Sequence, residues 1–214
     1  MTVFKVLSYP HVLLRKVSKD VTRFDDNLRQ FLESMCETMY AYQGIGLAAP
    51  QVGILKRALV IDVTPYLESE TNQEWKGSMA LLRAGVPSEI KFPLKIVNPK
   101  IIEAQDEGIF PLDGCLSLPG VSKSETKRFF KIVVSAVDEA GVPLEIRASG
   151  ILSICLQHEM DHLDGVFFID HLLEPMEKED ILIDISDFES DPKERRKAKK
   201  RHAVDARQVG SAPE

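Results

Sequence analysis

Apolar residues recur at helical spacing in two places along the chain. Between Asn27 and Tyr42, the residues Leu28, Phe31, Leu32, Met35, Met39 and Tyr42 fall on one side of a 3.6-residue repeat, which predicts an amphipathic helix with its apolar stripe on the core. Asp25 or Asp26 stands where a capping carboxylate is needed, and Gly44 follows the last periodic residue. The second pattern runs from Ser149 to Leu163, with Ser149 as its N-cap and Gly165 as its stop. Shorter β-branched runs at Ala58 to Val63, Leu94 to Ile102, Lys131 to Asp138 and Val142 to Ala148 read as strands. Glu139-Ala140-Gly141 reads as the hairpin turn between the last two. Residues 66 to 93 have weak periodicity and several Gly, Pro and Glu residues, which predicts a long surface loop.

Composition adds little to that pattern. The chain has 214 residues, 44% of them apolar and 28% charged, as in an ordinary globular protein with one domain and a tail. The expected division is a folded domain over 1–186 and a charged, flexible tail over 187–214. No stretch approaches the roughly 18 apolar residues of a membrane span, and Met1 to Pro10 lacks the apolar run of a secretory signal. Three cysteines, Cys36, Cys115 and Cys155, have no regular spacing, so the expectation is no disulfide framework and a reducing, cytoplasmic location. The net charge is −6, yet Asp191 to His202 carries seven basic residues against two acidic ones. That block (193–201) reads as a solvated terminus or as a contact for a polyanion such as ribosomal RNA, with no DNA or membrane partner expected.

Chemistry is concentrated in His158-Glu159-Met160-Asp161-His162 on the second helix. Two histidines at i and i+4 share one helical face and can grip one metal ion, while Glu159 between them can take a proton from metal-bound water without being a ligand. Histidines four apart also occur as plain core or surface residues. A hydrolytic metal site needs a third protein ligand and an open position. The metzincin extension fails, because Gly165 is in place but position 168 is Phe168. Glu177 or Glu179 would serve a thermolysin-like site. Cys115 is the better candidate, in a turn-forming stretch Leu112-Asp113-Gly114-Cys115-Leu116-Ser117. In a third segment, Gly44-Ile45-Gly46-Leu47-Ala48-Ala49-Pro50-Gln51, small residues let a ligand lie against the backbone and Gln51 offers an amide to a developing oxyanion.

Taken together, GIGLAAPQ (44–51), DGCLS (113–117) and QHEMDHL (157–163) resemble the three motifs of peptide deformylases, and the likeness runs from about Val6 to Leu173. The resemblance implies an α+β fold with antiparallel strands around a central metal-bearing helix. It implies hydrolysis of the N-formyl group from the initiator methionine of nascent polypeptides, releasing formate. By the same resemblance Cys115, His158 and His162 hold one divalent ion, Fe2+ in the cell, with Zn2+, Ni2+ or Co2+ able to replace it. Glu159 is then the general acid and base, Gln51 and the Leu116 N–H stabilise the tetrahedral intermediate, and Ile45, Gly46, Gly114, Ile151, Ile154 and Cys155 meet the substrate. Backbone groups near Gly46 would pair with the peptide as an added strand.

The chain departs from the family pattern at Asp113, where a glutamate normally pairs with an arginine. Arg128 is the nearest match, one residue further along. The shorter carboxylate predicts a weakened ion pair, and the loop at 66–93 predicts altered substrate access. Two other readings stand beside this one: a zincin-like peptidase using a downstream glutamate, and an impaired deformylase relative that binds peptide or ribosome.

Overall fold

A computed structural model describes residues 2–69, 75–111, 113–121 and 125–173. The tail from 187, its basic block, and Glu177 and Glu179 lie outside the described residues.

Among the described residues seven strands form one antiparallel sheet: β1 (Gly46–Ala48), β2 (Ala58–Ile61), β3 (Met79–Arg83), β4 (Val86–Ser88), β5 (Leu94–Phe110), β6 (Thr126–Val137) and β7 (Pro143–Ser149). Their order is β1-β2-β5-β6-β7-β3-β4. Helix α1 (Asp26–Ala41) packs on β1 and β2, a short helix α2 (Thr64–Leu67) follows β2, and α3 (Ile151–Leu163) lies against β1, β2, β6 and β7. The central antiparallel-sheet architecture is the expected one. None of the helices in the described residues is long and apolar enough to cross a membrane.

Local chemistry accounts for most boundaries. Asp25 caps α1, its carboxylate accepting from Leu28 N–H at 3.0 Å. Leu28, Leu32, Met35, Cys36 and Met39 form the buried stripe against Leu47, Ala58 and Val60. The helix ends at Ala41, and the left-handed residue after it is Gln43 rather than the expected Gly44. All three cysteines are free, and burial pushes the Cys36 thiol up to about 12.

Three expectations are corrected. The loop at 66–93 contains a β-hairpin: β3 and β4 turn through Ala84 and Gly85, both at positive φ, and β3 adds to the edge of β7. Its pattern was weak because Leu81 is the one buried residue of these two strands. Strand β5 extends to Phe110 rather than stopping at Ile102, since the exposed run Glu103 to Glu107 is held by pairing with β6, which itself starts at Thr126. Ser149 is not a helix cap. It ends β7, and its hydroxyl accepts from Ser78 N–H at 2.6 Å while Gly150, at φ 63°, turns the chain into α3.

Asp138 organises the β6–β7 hairpin. Its carboxylate accepts from Ala140 N–H (2.8 Å) and Val142 N–H (2.9 Å) and from the Arg83 guanidinium of β3 (2.6 Å). Burial works to raise its pKa, but those backbone donors and Arg83 outweigh it, and the net shift is downward. A carboxylate with a depressed folded pKa contributes stability that is present above the unfolded value of about 3.9 and lost as pH falls through the folded value. Asp138→Ala is expected to lower the unfolding free energy at pH 7 by about 1–3 kcal/mol in urea titration, with the difference from the parent shrinking below about pH 4.

Candidate metal centre

Helix α3 carries its polar residues into the core. Every residue from Ile151 to Met160 is buried, and so are His162 and Leu163. A buried polar side chain is costly unless it is partnered, and the partners of these groups define the site. Gln157 clasps β6 at Phe129, its Oε1 accepting from Phe129 N–H (3.0 Å) and its Nε2 donating to Phe129 C=O (2.7 Å). His158 Nδ1 lies 2.7 Å from Asp113 Oδ1, and the ring also has Cys115 as a hydrogen-bond partner. His162 Nε2 is 3.1 Å from Cys115 Sγ. One ligand atom from each of Cys115, His158 and His162 lies within 4.8 Å of the others.

The expected weakness at Asp113 is absent. Arg128 donates to Asp113 Oδ2 through Nη2 (2.8 Å) and Nε (3.2 Å), and Thr126 Oγ1 lies 3.2 Å from the same oxygen. Both side chains of the ion pair are nearly inaccessible, at 2% and 4% exposure. The shorter carboxylate reaches both Arg128 and His158. Arg128 Nη1 goes on to Asp161 Oδ2 (2.6 Å), and the same oxygen meets His171 Nε2 (2.9 Å). Asp161 lies inside the helical motif, but nothing in the sequence gave it a partner, and His171 carried no signal at all.

This chain of charges sets the titration of the site. Burial would raise the Asp113 pKa, but His158 and Arg128 overcome it and hold the carboxyl below the usual range. Burial lowers His158, yet Asp113 beside it pushes the ring well above its ordinary value. His162 is driven well below the ordinary value by burial and by the His158 charge. Burial pushes the Glu159 carboxyl up to about 7, near what a group passing protons at neutral pH requires.

The glycine-rich segment sits between the other two motifs. A Cβ on Gly44 would lie 2.8 Å from Leu116 Cδ1, and one on Gly46 would lie 2.3 Å from Glu159 Oε1. Glycine at 46 lets Glu159 rest on the backbone, and at 44 a side chain would have to displace the tip of Leu116. Gln51 follows in a tight turn. Its Oε1 accepts from Ala48 N–H (2.8 Å), which aims Nε2 at Ser117 Oγ (3.2 Å) and Cys115 Sγ (3.6 Å). Cys155 Sγ approaches Ile45 C=O at 3.7 Å, and Ile45, Ile151, Ile154 and Cys155 belong to one apolar cluster. Among the described residues nothing outside its chain neighbours would lie within 4 Å of a Cβ on Gly114, so there is open space at that position. A cavity of about 500 Å³ lined by Met79, Glu103, Lys131 and Arg147 contains none of these residues.

The donor set fits a metal ion. A thiol and two imidazoles converge from a turn and a helix face, as in three-ligand sites with an open position. Two buried atoms beside it, Glu159 Oε2 and His162 Nδ1, have no hydrogen-bond partner among the described residues. Sulfur and imidazole ligands suit iron or zinc better than magnesium or calcium.

Comparison with known proteins agrees with this geometry. The family model described as polypeptide deformylase matches residues 3–179. A peptide deformylase of Thermodesulfovibrio yellowstonii is 36% identical over 179 residues, covering 84% of this chain and 94% of that protein. One of Brucella suis is 41% identical over 172 residues, covering 80% and 86%. A crystal structure of a peptide deformylase from Synechococcus elongatus in complex with actinonin superposes with a TM-score of 0.67 at 36% identity, covering 86% of each chain. The chain belongs to the polypeptide deformylase family.

Proposed function

We propose that this protein hydrolyses the N-formyl group of newly synthesised polypeptides beginning with formylmethionine, releasing formate and a free α-amine. The observation that carries the reading is the meeting of Cys115 Sγ with two α3 imidazoles beside the buried Glu159 carboxyl. Cys115, His158 and His162 would hold one divalent ion, Fe2+ in the cell, with Zn2+, Ni2+ or Co2+ accepted by the same donors. When bound, such an ion supplies Lewis acidity and brings the pKa of water toward neutrality. The catalytic unit in this reading spans residues 1–186.

The chain's own groups do the rest. Glu159 takes a proton from the attacking water and returns it to the departing amine nitrogen, so the amide C–N bond breaks without expelling an amide anion. Gln51 Nε2, held by the Ala48 contact, and the Leu116 N–H donate to the formyl oxygen as negative charge builds on it. Asp113 keeps the His158 ring oriented through Nδ1. Ile45, Ile151, Ile154 and Cys155 receive the methionine side chain, and the backbone at Gly46, with the space beside Gly114, receives the peptide. Edge strand β1, paired with β2 on one side, suits strand addition by that peptide.

Protein loaded anaerobically with Fe2+ is expected to release formate from formyl-Met-Ala in a coupled formate assay. Full iron occupancy without formate release would refute the activity. Glu159→Gln is expected to retain the metal while kcat falls by about 10²–10⁴-fold, read by parallel metal analysis and steady-state kinetics. Unchanged kcat would remove Glu159 from the chemistry.

A further inference from the structure

The segment before α1 contains none of the three motifs, yet it is bonded to two of them. Leu7 N–H donates to Gln51 C=O at 2.8 Å, and two residues on Tyr9 N–H donates to Ser117 C=O at 2.9 Å. Gln51 is one of the two proposed oxyanion donors, and Ser117 immediately follows Leu116, the other. These donors sit on separate pieces of chain. Gln51 is in the turn after β1, and the Cys115 stretch consists of turns outside the sheet ladder. The contact of Gln51 Nε2 with Ser117 Oγ links them directly, but that is the amide expected to turn toward substrate.

The same segment also approaches the metal helix through Phe167. Leu7 and Tyr9 pack with Cys115, Leu118, Phe167 and Phe168 in one apolar cluster. The Tyr9 ring stands edge-on to Phe167 (5.7 Å, 86°), and Phe167 stands edge-on to His162 (5.1 Å, 84°). One short piece of chain therefore bonds to the elements bearing Gln51 and Leu116 and packs on Phe167, the ring that stands against His162.

We infer that Leu7–Tyr9 is a positioning strap whose two main-chain hydrogen bonds fix the spacing between the Gln51 amide and the Leu116 N–H. The inference rests on the proposed roles of those two donors. Oxyanion donors work only when preorganised at about 2.7–3.1 Å from the charge that develops. A displacement of about 1 Å in such a site costs on the order of a hundredfold in rate. Releasing one end of the strap is a smaller change, for which a fall of about tenfold is expected, equivalent to about 1.4 kcal/mol.

The test replaces single amides by esters in the full-length, metal-loaded protein, using the α-hydroxy acid analogues of leucine at 7 and of tyrosine at 9. Phe4 supplies the control, because its N–H donates to Thr38 Oγ1 on α1 (2.9 Å), away from the site. The Leu7 and Tyr9 esters are each expected to lower kcat about tenfold, with KM and bound metal within about twofold of the parent. The Phe4 ester is expected to lower the thermal midpoint similarly and to keep kcat. Retention of kcat by either site ester, or an equal fall in the control, would overturn the strap. Gln51→Ala measured alongside separates the two levels: loss of kcat there with intact esters removes only the strap, whereas full kcat in Gln51→Ala removes the oxyanion reading and the strap with it.

Discussion

A helix buried on nearly all sides carries Gln157, His158, Glu159 and His162 into the protein interior, and that burial governs the surrounding structure. Each group would cost several kcal/mol if left without a partner. The fold answers with a backbone clasp for Gln157, a carboxylate for His158 and a sulfur beside His162. The apolar positions of the same helix, Ile151, Leu152, Ile154, Leu156 and Leu163, lock into the sheet core and prevent the helix from rotating the polar face outward. Two atoms are exceptions, Glu159 Oε2 and His162 Nδ1, each buried and lacking a partner among the described residues. Such an imperfection is expected where reactivity rather than stability has shaped a side chain.

The compensation reaches well beyond the helix. Asp113 is acceptable in the interior because Arg128 faces it, and Arg128 because Asp161 shares its charge. His171 completes the line at a half-buried position. Removing one member of a buried ionic chain leaves its neighbour uncompensated, so the set acts as a unit. This explains how an aspartate can stand in place of the longer family glutamate. The requirement is a carboxylate between His158 and Arg128, and Asp113 meets both.

Much of this was legible in the sequence, for identifiable reasons. The 3.6-residue pattern of α1 and the close spacing of His158, Glu159 and His162 are local signals, and the glycines at 44 and 46 anticipated a close approach. The β3–β4 hairpin escaped notice because one buried leucine gives no period and Ala84-Gly85 is not a strong turn signature. The outer half of β5 was hidden for a related reason: Glu103, Gln105 and Glu107 are exposed, so pairing rather than burial makes them strand. Ser149 looked like a cap because serine commonly is one, whereas here its hydroxyl serves a neighbouring strand. In the Asp113–Arg128–Asp161–His171 chain the first pair was readable through the family resemblance, whereas the Arg128–Asp161 and Asp161–His171 links join residues 33 and 10 positions apart, and no local pattern reports contacts of that kind.

The account depends on one sulfur from a turn joining two imidazoles from a helix around a single ion. X-ray absorption at the metal edge of the zinc- or iron-loaded protein tests this most directly. The predicted inner shell contains one sulfur at about 2.3 Å and two imidazole nitrogens at about 2.0–2.1 Å, taking zinc distances as the guide. A fully loaded protein whose metal has only nitrogen and oxygen neighbours would contradict it.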